Sequence, residues 1–375
     1  MDITTRNFFR LLRAGAFGDE VEIEPLSAWK WKRLYQLSIV HHVSALVFDG
    51  ICRCQDQFFL QLPEGLYEAW RKATLEAEEE NRHIASETAA LFSTLGALQL
   101  RPILLKGQSM STLYDQPYHR MPGDIDIFFP FETQGQKADQ WALDYGEEVE
   151  IIDKRQLTYH WNGVKVEHHH RMQRLTNKLL EHLLQGIVEQ EMRETQAAYV
   201  TIDHARIETV PPTLSLLLIL LRIARYVLSD GISLKQIVDL GIFLRKQGDR
   251  ADYVKLQQWL QRLKMERMAR LVGAMLTGLL GFADDEIPFV EGVTGAEGAT
   301  KSDLSLIMKE IASLGQPHRS EWNFQQADSI FVHTTNTTAM FWQVRHSARY
   351  FRYCPSESLT SLLYTFAHSL SHVEE

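Results

Sequence analysis

Two aspartates two residues apart, Asp124 and Asp126, stand in the otherwise apolar segment Gly123 to Phe129. On a β-strand, residues two apart point to the same face, so the two carboxylates can hold one cation together. Mg²⁺, or the similar Mn²⁺, prefers hard oxygen ligands and is bound through few carboxylates together with phosphate oxygens. The neighbouring apolar residues indicate a buried strand, where carboxylates without a cation are unfavourable. The pair therefore predicts a divalent metal site.

A glycine turn precedes this segment, directly after the short apolar strand predicted over Pro102 to Leu105. Gly107 allows a turn that brings the backbone close to a ligand, and Ser109 can cap the following helix and donate to a phosphate. Lys106 is a further candidate phosphate ligand. An ordinary strand-to-helix turn with a capping serine, and a salt bridge for Lys106, are the alternative interpretations.

A third carboxylate, Glu167, lies on the second strand of a predicted hairpin that turns at Asn162-Gly163. Asn-Gly between two alternating segments is a strong hairpin signal. The alternation places Lys165 and Glu167 on one face, and Glu167 completes the metal site if the hairpin lies beside the aspartate strand. Otherwise it is a solvent-facing partner of Lys165. Two other acids are rival candidates: Glu148 and Glu150.

Two more charged residues have competing interpretations. Arg120 precedes the aspartates in a loop bounded by prolines, where it can clamp a phosphate with two hydrogen bonds. Alternatively, it holds an acid such as Asp115. Asp239, on a helix after Gly231, can act as a base near an acceptor, although a polar contact in helix packing is the favoured interpretation.

The run His168-His169-His170 suggests zinc, but neighbouring strand residues alternate between faces, so at most two of the three can share a metal. No cysteine or further histidine stands at zinc-ligand spacing, and Cys52-x-Cys54 lacks the gap of a structural site. Zinc is therefore the weakest interpretation of these residues.

The segment Ile103 to Ile127 resembles the uncharacterised nucleotidyltransferase family of bacteria, which belongs to the DNA polymerase beta-like nucleotidyltransferase superfamily. The superfamily pattern is a Gly-Ser or Gly-Gly turn, a helix, an Asp-x-Asp strand and an acid on a later strand. Gln108 departs from it, since a small residue often stands there. The resemblance continues more weakly over Ser229 to Gln236 and Asp239-Leu240. It rests on these residues: Lys106-Gly107, Leu113-Tyr114 and Arg120 to Asp126.

This resemblance implies transfer of a nucleoside monophosphate from an NTP to an acceptor hydroxyl, with release of pyrophosphate. It implies that the catalytic and metal-binding residues are Asp124, Asp126 and Glu167. The nucleotide phosphates would then contact the turn and the loop, namely Lys106, Gly107, Gln108, Ser109 and Arg120. Domain interfaces favour binding sites, so the nucleotide is expected between the sheet and the C-terminal helices. A catalytically degenerate nucleotide-binding protein and a helical interaction protein remain alternatives.

The helices and strands expected around these residues indicate an α+β fold. Residues 1–95 are expected to form an N-terminal helical region, 96–210 a nucleotidyltransferase-like domain with a mixed sheet, and 211–375 a C-terminal helical domain. The first region includes a long amphipathic helix from Glu64 to Leu98, whose apolar residues step by three and four. In the C-terminal helical domain, the segment Phe282 to Thr300 is acidic and glycine-rich and is expected to form an exposed loop.

Composition limits the partners. The chain has 375 residues, 45% of them hydrophobic, which allows a sizeable core. Its net charge of −9 argues against nucleic acid as a partner and favours a small-molecule or protein acceptor. Three cysteines indicate reduced thiols. No signal-peptide pattern is present, and Leu216 to Leu221, the longest aliphatic run, is too short for a bilayer. These features predict a cytoplasmic protein and leave its oligomeric state open.

Overall fold

The computed structural model describes residues 1–152, 156–229, 231–290, 301–314 and 348–360. The fold is α+β, as the sequence predicts: a mixed seven-stranded sheet lies in the middle of the chain, with helices before and after it. None of the helices in the described ranges is long and apolar enough to cross a membrane. The three cysteines are free thiols within the described ranges.

The α-helices up to the middle of the chain are α1 (Ile3–Phe17), α2 (Ala28–Val40), α3 (Ser44–Arg53), α4 (Glu64–Ala97), α5 (Gln108–Ser111), α6 (Glu132–Tyr145) and α7 (Lys178–Glu194). Those that follow are α8 (Pro212–Ser229), α9 (Leu234–Gln247), α10 (Tyr253–Arg262), α11 (Glu266–Leu280) and α12 (Lys301–Leu314). Short 3₁₀ turns connect some of them, at Pro117–His119, Gly248–Arg250 and Asp284–Glu286.

The strands are β1 (Ile103–Leu104), β2 (Ile125–Phe128), β3 (Glu147–Ile152), β4 (Gln156–Trp161), β5 (Val164–His169), β6 (Ala198–Ile202) and β7 (Ala205–Thr209). Their order in the sheet is β3-β4-β5-β2-β1-β7-β6. Strand β2 pairs in parallel with β5, and β1 pairs in parallel with β7. The other neighbours, β1–β2, β3–β4, β4–β5 and β6–β7, are antiparallel.

Two hairpins form the flanks of the sheet, and only one was predictable. The β4–β5 turn has Asn162 and Gly163 at φ of 49° and 79°, the left-handed conformation that Asn-Gly favours. The β6–β7 turn uses Asp203 and His204, at φ of 42° and 67°, without a glycine. Because this pair is a weak turn signal, β6 and β7 were not predicted. The outer strand β3 was not predicted either.

The two faces of the sheet belong to two separate cores. Ile125, Ile127 and Val166 point to the face that packs against the second half of α4 and against α6. On the opposite face, Ile103 and Phe128 join a larger core. This larger core combines the N-terminal helices α1–α3 with α7–α11, so the chain before the sheet and the chain after it pack together.

The helix after the glycine turn is short and ends at Ser111; beyond it Tyr114 is buried and donates a hydrogen bond to Asp239. The loop expected from Phe282 is exposed at its acidic turn, as predicted, but Phe282 and Phe289 on either side of the turn are buried and anchor it. Residues 291–300 of that loop lie outside the described ranges.

Candidate active site

The parallel pairing of β2 and β5 brings two predicted acids side by side. Asp126 on β2 lies in register with Glu167 on β5, and neighbours in register share a face. Both are buried: the side chain of Asp126 has no exposed surface and that of Glu167 is 11% exposed. The hairpin thus lies beside the aspartate strand, which is the arrangement that the prediction for Glu167 required.

Lys106 neutralises part of this charge. Its Nζ lies 3.0 Å from Oδ1 of Asp126 and 3.8 Å from Oδ1 of Asp124. Both aspartates therefore lie close to the same ammonium group. Lys165, on the same face of β5, forms an ion pair of 3.1 Å with Glu167. Lys106 and Asp124 are 29% and 28% exposed, so solvent reaches the cluster from their side.

The charges in the cluster set its pKa values. Burial opposes the ionisation of Asp124, but the charges and hydrogen bonds around it, led by the ammonium of Lys106, together outweigh burial and lower the pKa of that carboxyl. Burial also opposes the ionisation of Glu167, and favourable interactions led by a hydrogen bond from His169 together lower its pKa. Conversely, Asp126 and Glu167 raise the pKa of His169 against the effect of burial. The lowered pKa values keep Asp124 and Glu167 ionised at neutral pH and suited to binding a cation.

His169 joins the carboxylates as a third potential metal ligand. Its Nε2 lies 2.6 Å from Oδ1 of Asp126 and 3.3 Å from Oε2 of Glu167. One donor atom from each of the three residues falls within 4.8 Å of the others. The second oxygen of Asp126, Oδ2, is buried and has no hydrogen-bond partner among the described residues. A buried carboxylate oxygen without a partner fits a metal ligand, so these residues fit a divalent ion. Asp124 lies at the rim, outside this set.

The glycine turn approaches the same aspartates. Gly107 has φ of 68° and ψ of −110°, which favours glycine, and a Cβ there would lie 3.0 Å from the carbonyl oxygen of Asp124. Gly107 itself is the N-cap of α5, so the prediction that Ser109 is the cap was wrong. Ser109 lies in the first turn of this four-residue helix and is buried.

A buried asparagine on α4 holds the turn and the loop together. The Nδ2 of Asn81 donates to the carbonyl oxygens of Tyr118 and Arg120, at 2.8 and 2.7 Å. Its Oδ1 accepts a hydrogen bond of 3.3 Å from the amide of Gln108. Gln108 thus contacts α4 at the position where the family pattern has a small residue. Asn81 positions both segments that lead to Asp124.

Arg120 is bonded to Asp239 on α9. Its Nε and Nη2 donate to the two carboxylate oxygens at 2.8 and 2.9 Å, and Tyr114 donates to the same carboxylate at 2.6 Å. All three side chains are buried. This is the alternative interpretation of Arg120, with Asp239 in the place of Asp115. Asp115 instead forms an exposed ion pair with Lys246. Asp239 therefore has the structural role that its sequence context favours.

Two cations on the C-terminal helices also face the cluster. Arg222 on α8 interacts electrostatically with Asp126 and Asp239, and burial lowers its pKa. Lys235, at the start of α9, lies beside Gly123 and interacts with Asp124. Burial, followed by repulsion from Arg120, lowers the pKa of Lys235 to about 7. Neither side chain forms a hydrogen bond or an ion pair with the described residues.

The remaining candidates lie away from the cluster. His168 and His170 point to the other face of β5, where both contact Asp139 at 2.9 and 3.0 Å. The three histidines therefore do not share a metal. Glu148 and Glu150 are exposed on β3, separated from β2 by β4 and β5, so neither is the third acid.

Sequence reasoning missed Asn81, Arg222 and Lys235, and it considered His169 only as part of a possible zinc run. The period of two on β5 puts His169 on the face of Glu167, and this signal was available. No comparable signal exists for the other three, because their distance in sequence from the aspartates hides their contacts.

The matched part of the chain, residues 27–281, runs from the N-cap of α2 to the C-cap of α11 and includes the whole sheet and the cluster. Over this range the sequence matches the family described as an uncharacterised nucleotidyltransferase. The chain belongs to this nucleotidyltransferase family. Membership supports transferase activity in general and agrees with the resemblance carried by the motif. No curated protein and no solved structure matches the chain.

Proposed function

We propose that this nucleotidyltransferase moves a nucleoside monophosphate from an NTP to an acceptor hydroxyl on a small molecule or a protein. The observation that carries the proposal is the register of Asp126 with Glu167, beside Asp124 and the Gly107 turn. This arrangement supports a place for this bacterial family within the DNA polymerase beta-like nucleotidyltransferase superfamily. In this proposal all three expected regions, 1–95, 96–210 and 211–375, contribute to one site, through Asn81, the carboxylates and the pair Arg222 and Lys235.

The metal ligands in this proposal are Asp126 and Glu167, which belong to one donor cluster, and Asp124, which lies at the rim of that cluster. When bound, Mg²⁺ or Mn²⁺ would neutralise the triphosphate and lower the pKa of the acceptor hydroxyl. Glu167 would help to take up the proton of that hydroxyl at its carboxylate. The acceptor oxygen forms a bond to the α-phosphorus while the bond to the bridging oxygen breaks, and pyrophosphate leaves. Catalysis then depends on positioning and charge neutralisation.

The phosphates would be bound by basic side chains on both sides of the cleft. Lys106 is shared between two aspartates and would be released to a phosphate once a metal ion neutralises them. Arg222 and Lys235 approach from the helices without a hydrogen-bond or ion-pair partner among the described residues, and an anion would compensate their burial. Arg120, bonded to Asp239, would position the loop; the phosphate contact predicted for it remains untested.

The acidic overall charge keeps nucleic acid an unfavourable acceptor, and the free cysteines fit a cytoplasmic setting. Base preference would be set at the part of the cleft that receives the nucleoside.

The test begins with thermal shift against ATP, GTP, CTP and UTP, each with Mg²⁺ or Mn²⁺. Binding stabilises the native state by mass action, so a nucleotide that fits raises the melting temperature.

The selected NTP, labelled at the α-phosphorus, is then incubated with pooled metabolites or proteins, and pyrophosphate release and label transfer are measured. We expect Asp126→Asn and Glu167→Gln to abolish transfer. Glu150→Gln, an exposed carboxylate on the sheet edge, is the matched control and should retain it. Nucleotide binding without transfer in any fraction would favour the degenerate alternative. Full activity in Asp126→Asn would refute the assignment.

A further inference from the structure

One feature of the cluster differs from the all-oxygen ligand set that Mg²⁺ favours: an imidazole nitrogen stands between the two innermost carboxylates. Nε2 of His169 is within 3.3 Å of oxygens on both Asp126 and Glu167. Mg²⁺ binds hard oxygen ligands, whereas imidazole favours first-row transition ions. The donor set of this site therefore has a metal preference of its own.

The spacing of the donor atoms fits coordination of one ion. An octahedral ion with ligands at about 2.1 Å has neighbouring ligand atoms about 3 Å apart. The separations of Nε2 from the two carboxylates, 2.6 and 3.3 Å, lie on either side of that value. The three donors come from adjacent strands of one sheet, so they are positioned by backbone pairing.

A second observation points to the same ion. Oδ1 of Asp126 contacts His169 and Lys106, but Oδ2 is buried and forms no hydrogen bond with any described residue. Burying an unpaired carboxylate oxygen is unfavourable. Lys106 and Arg222 both place positive charge near Asp126, and a metal ion can replace the ammonium of Lys106.

We propose that His169 is a metal ligand through Nε2, together with Asp126 and Glu167, and that the site binds a first-row transition ion such as Mn²⁺ in preference to Mg²⁺. This inference deepens the proposed function, on which it rests for the use of the ion. The imidazole would be neutral when bound, so binding would release the proton that His169 shares with the carboxylates.

The test uses Mn²⁺ with the full-length protein. Electron paramagnetic resonance gives the fraction of free Mn²⁺, and electron spin-echo envelope modulation detects nitrogen bound to the ion. Wild type should show coupling to one imidazole nitrogen. His169→Asp should lose this coupling, and its preference for Mn²⁺ over Mg²⁺ in competition should fall by about tenfold or more.

His170→Gln is the matched control, because this neighbour points to the opposite face and contacts Asp139. It should keep the nitrogen coupling and the preference. Protein-bound Mn²⁺ without nitrogen coupling in wild type would overturn the inference, whether or not the variants fold. Unchanged coupling in His169→Asp would also overturn it. These measurements do not depend on turnover. If the protein transfers nucleotides but bound Mn²⁺ shows no nitrogen coupling, only this inference is refuted. If the coupling is present but no acceptor receives a nucleotide, only the proposed function is refuted.

Discussion

Replacing Asp239 by asparagine should destabilise the protein more than any other change of one charge in the link between α9 and the loop before Asp124. The side chains of Asp239 and Arg120 are only 6% and 7% exposed, and two hydrogen bonds of 2.8 and 2.9 Å join them. Asp239→Asn keeps the shape but leaves the guanidinium buried without its counter-charge. Breaking a buried pair in this way costs about 3–5 kcal/mol.

The chain offers a matched control for this change. Asp115 and Lys246 connect the same loop region to the same helix, at 2.9 Å, but they are 58% and 47% exposed. Exposed pairs contribute about 0–1 kcal/mol. Tyr114→Phe, which removes one hydrogen bond to the Asp239 carboxylate, should cost an intermediate amount of about 1.5–3 kcal/mol.

The assay is thermal unfolding followed by circular dichroism. With an unfolding entropy of about 2.1 cal/mol/K per residue, 1 kcal/mol shifts the melting temperature of this chain by roughly 1.3 °C. Asp239→Asn should therefore lower the melting temperature by roughly 4–6 °C, and Asp115→Asn by about 1 °C or less. The double variant Arg120→Met/Asp239→Leu removes both charges and should recover most of the loss. Equal effects of Asp239→Asn and Asp115→Asn, or no recovery in the double variant, would refute the reasoning.

Two further predictions concern stability. His119 contacts carboxylates through both ring nitrogens, at 2.7 and 2.8 Å, and these partners raise its pKa against burial. The protonated ring therefore stabilises the fold fully below pH 6.5, and this effect is lost as the pH rises through the raised pKa. In urea unfolding, His119→Gln should lower the free energy of unfolding by about 1–3 kcal/mol at pH 6 and by less at pH 9. A loss that does not depend on pH would contradict this reasoning. Gly107→Ala should cost about 1–3 kcal/mol and weaken Mn²⁺ binding, because the added Cβ meets Asp124 at 3.0 Å. Gly163→Ala, also at positive φ but in open space, should leave Mn²⁺ binding unchanged, and equal binding losses in both variants would exclude a specific role for the turn.

The parts of the site within one short stretch of sequence were predictable. The strand periodicity of Asp124 and Asp126 and the Asn-Gly hairpin carrying Glu167 are local signals, and the structure has these elements where the sequence places them. Residue type alone could not decide between the interpretations of Arg120. Its partner, Asp239, is 119 residues away, and only the packing of α9 against the loop brings the two together.

The counter-charges of the cluster were the least predictable part. Lys106 was recognised as a candidate phosphate ligand, but its contact with both aspartates depends on the antiparallel pairing of β1 and β2. Arg222 and Lys235 reach the carboxylates through the tertiary arrangement of α8 and α9. Such contacts join distant segments, and the periodicity of either segment does not reveal them.

Helix α4 has a consequence for how this architecture can be divided. At 34 residues it extends over about 51 Å. Trp70, near its beginning, belongs to the core shared by the terminal helices, whereas Leu91 and Leu95, near its end, belong to the core beneath the sheet. The single helix α4 therefore contributes to both hydrophobic cores, and Asn81 lies between the two contributions. A shortened chain that begins after Ala97 would expose an apolar face of the sheet and release the glycine turn from its anchor. The N-terminal region is thus a structural part of the candidate site, and it could not easily be replaced as an independent domain.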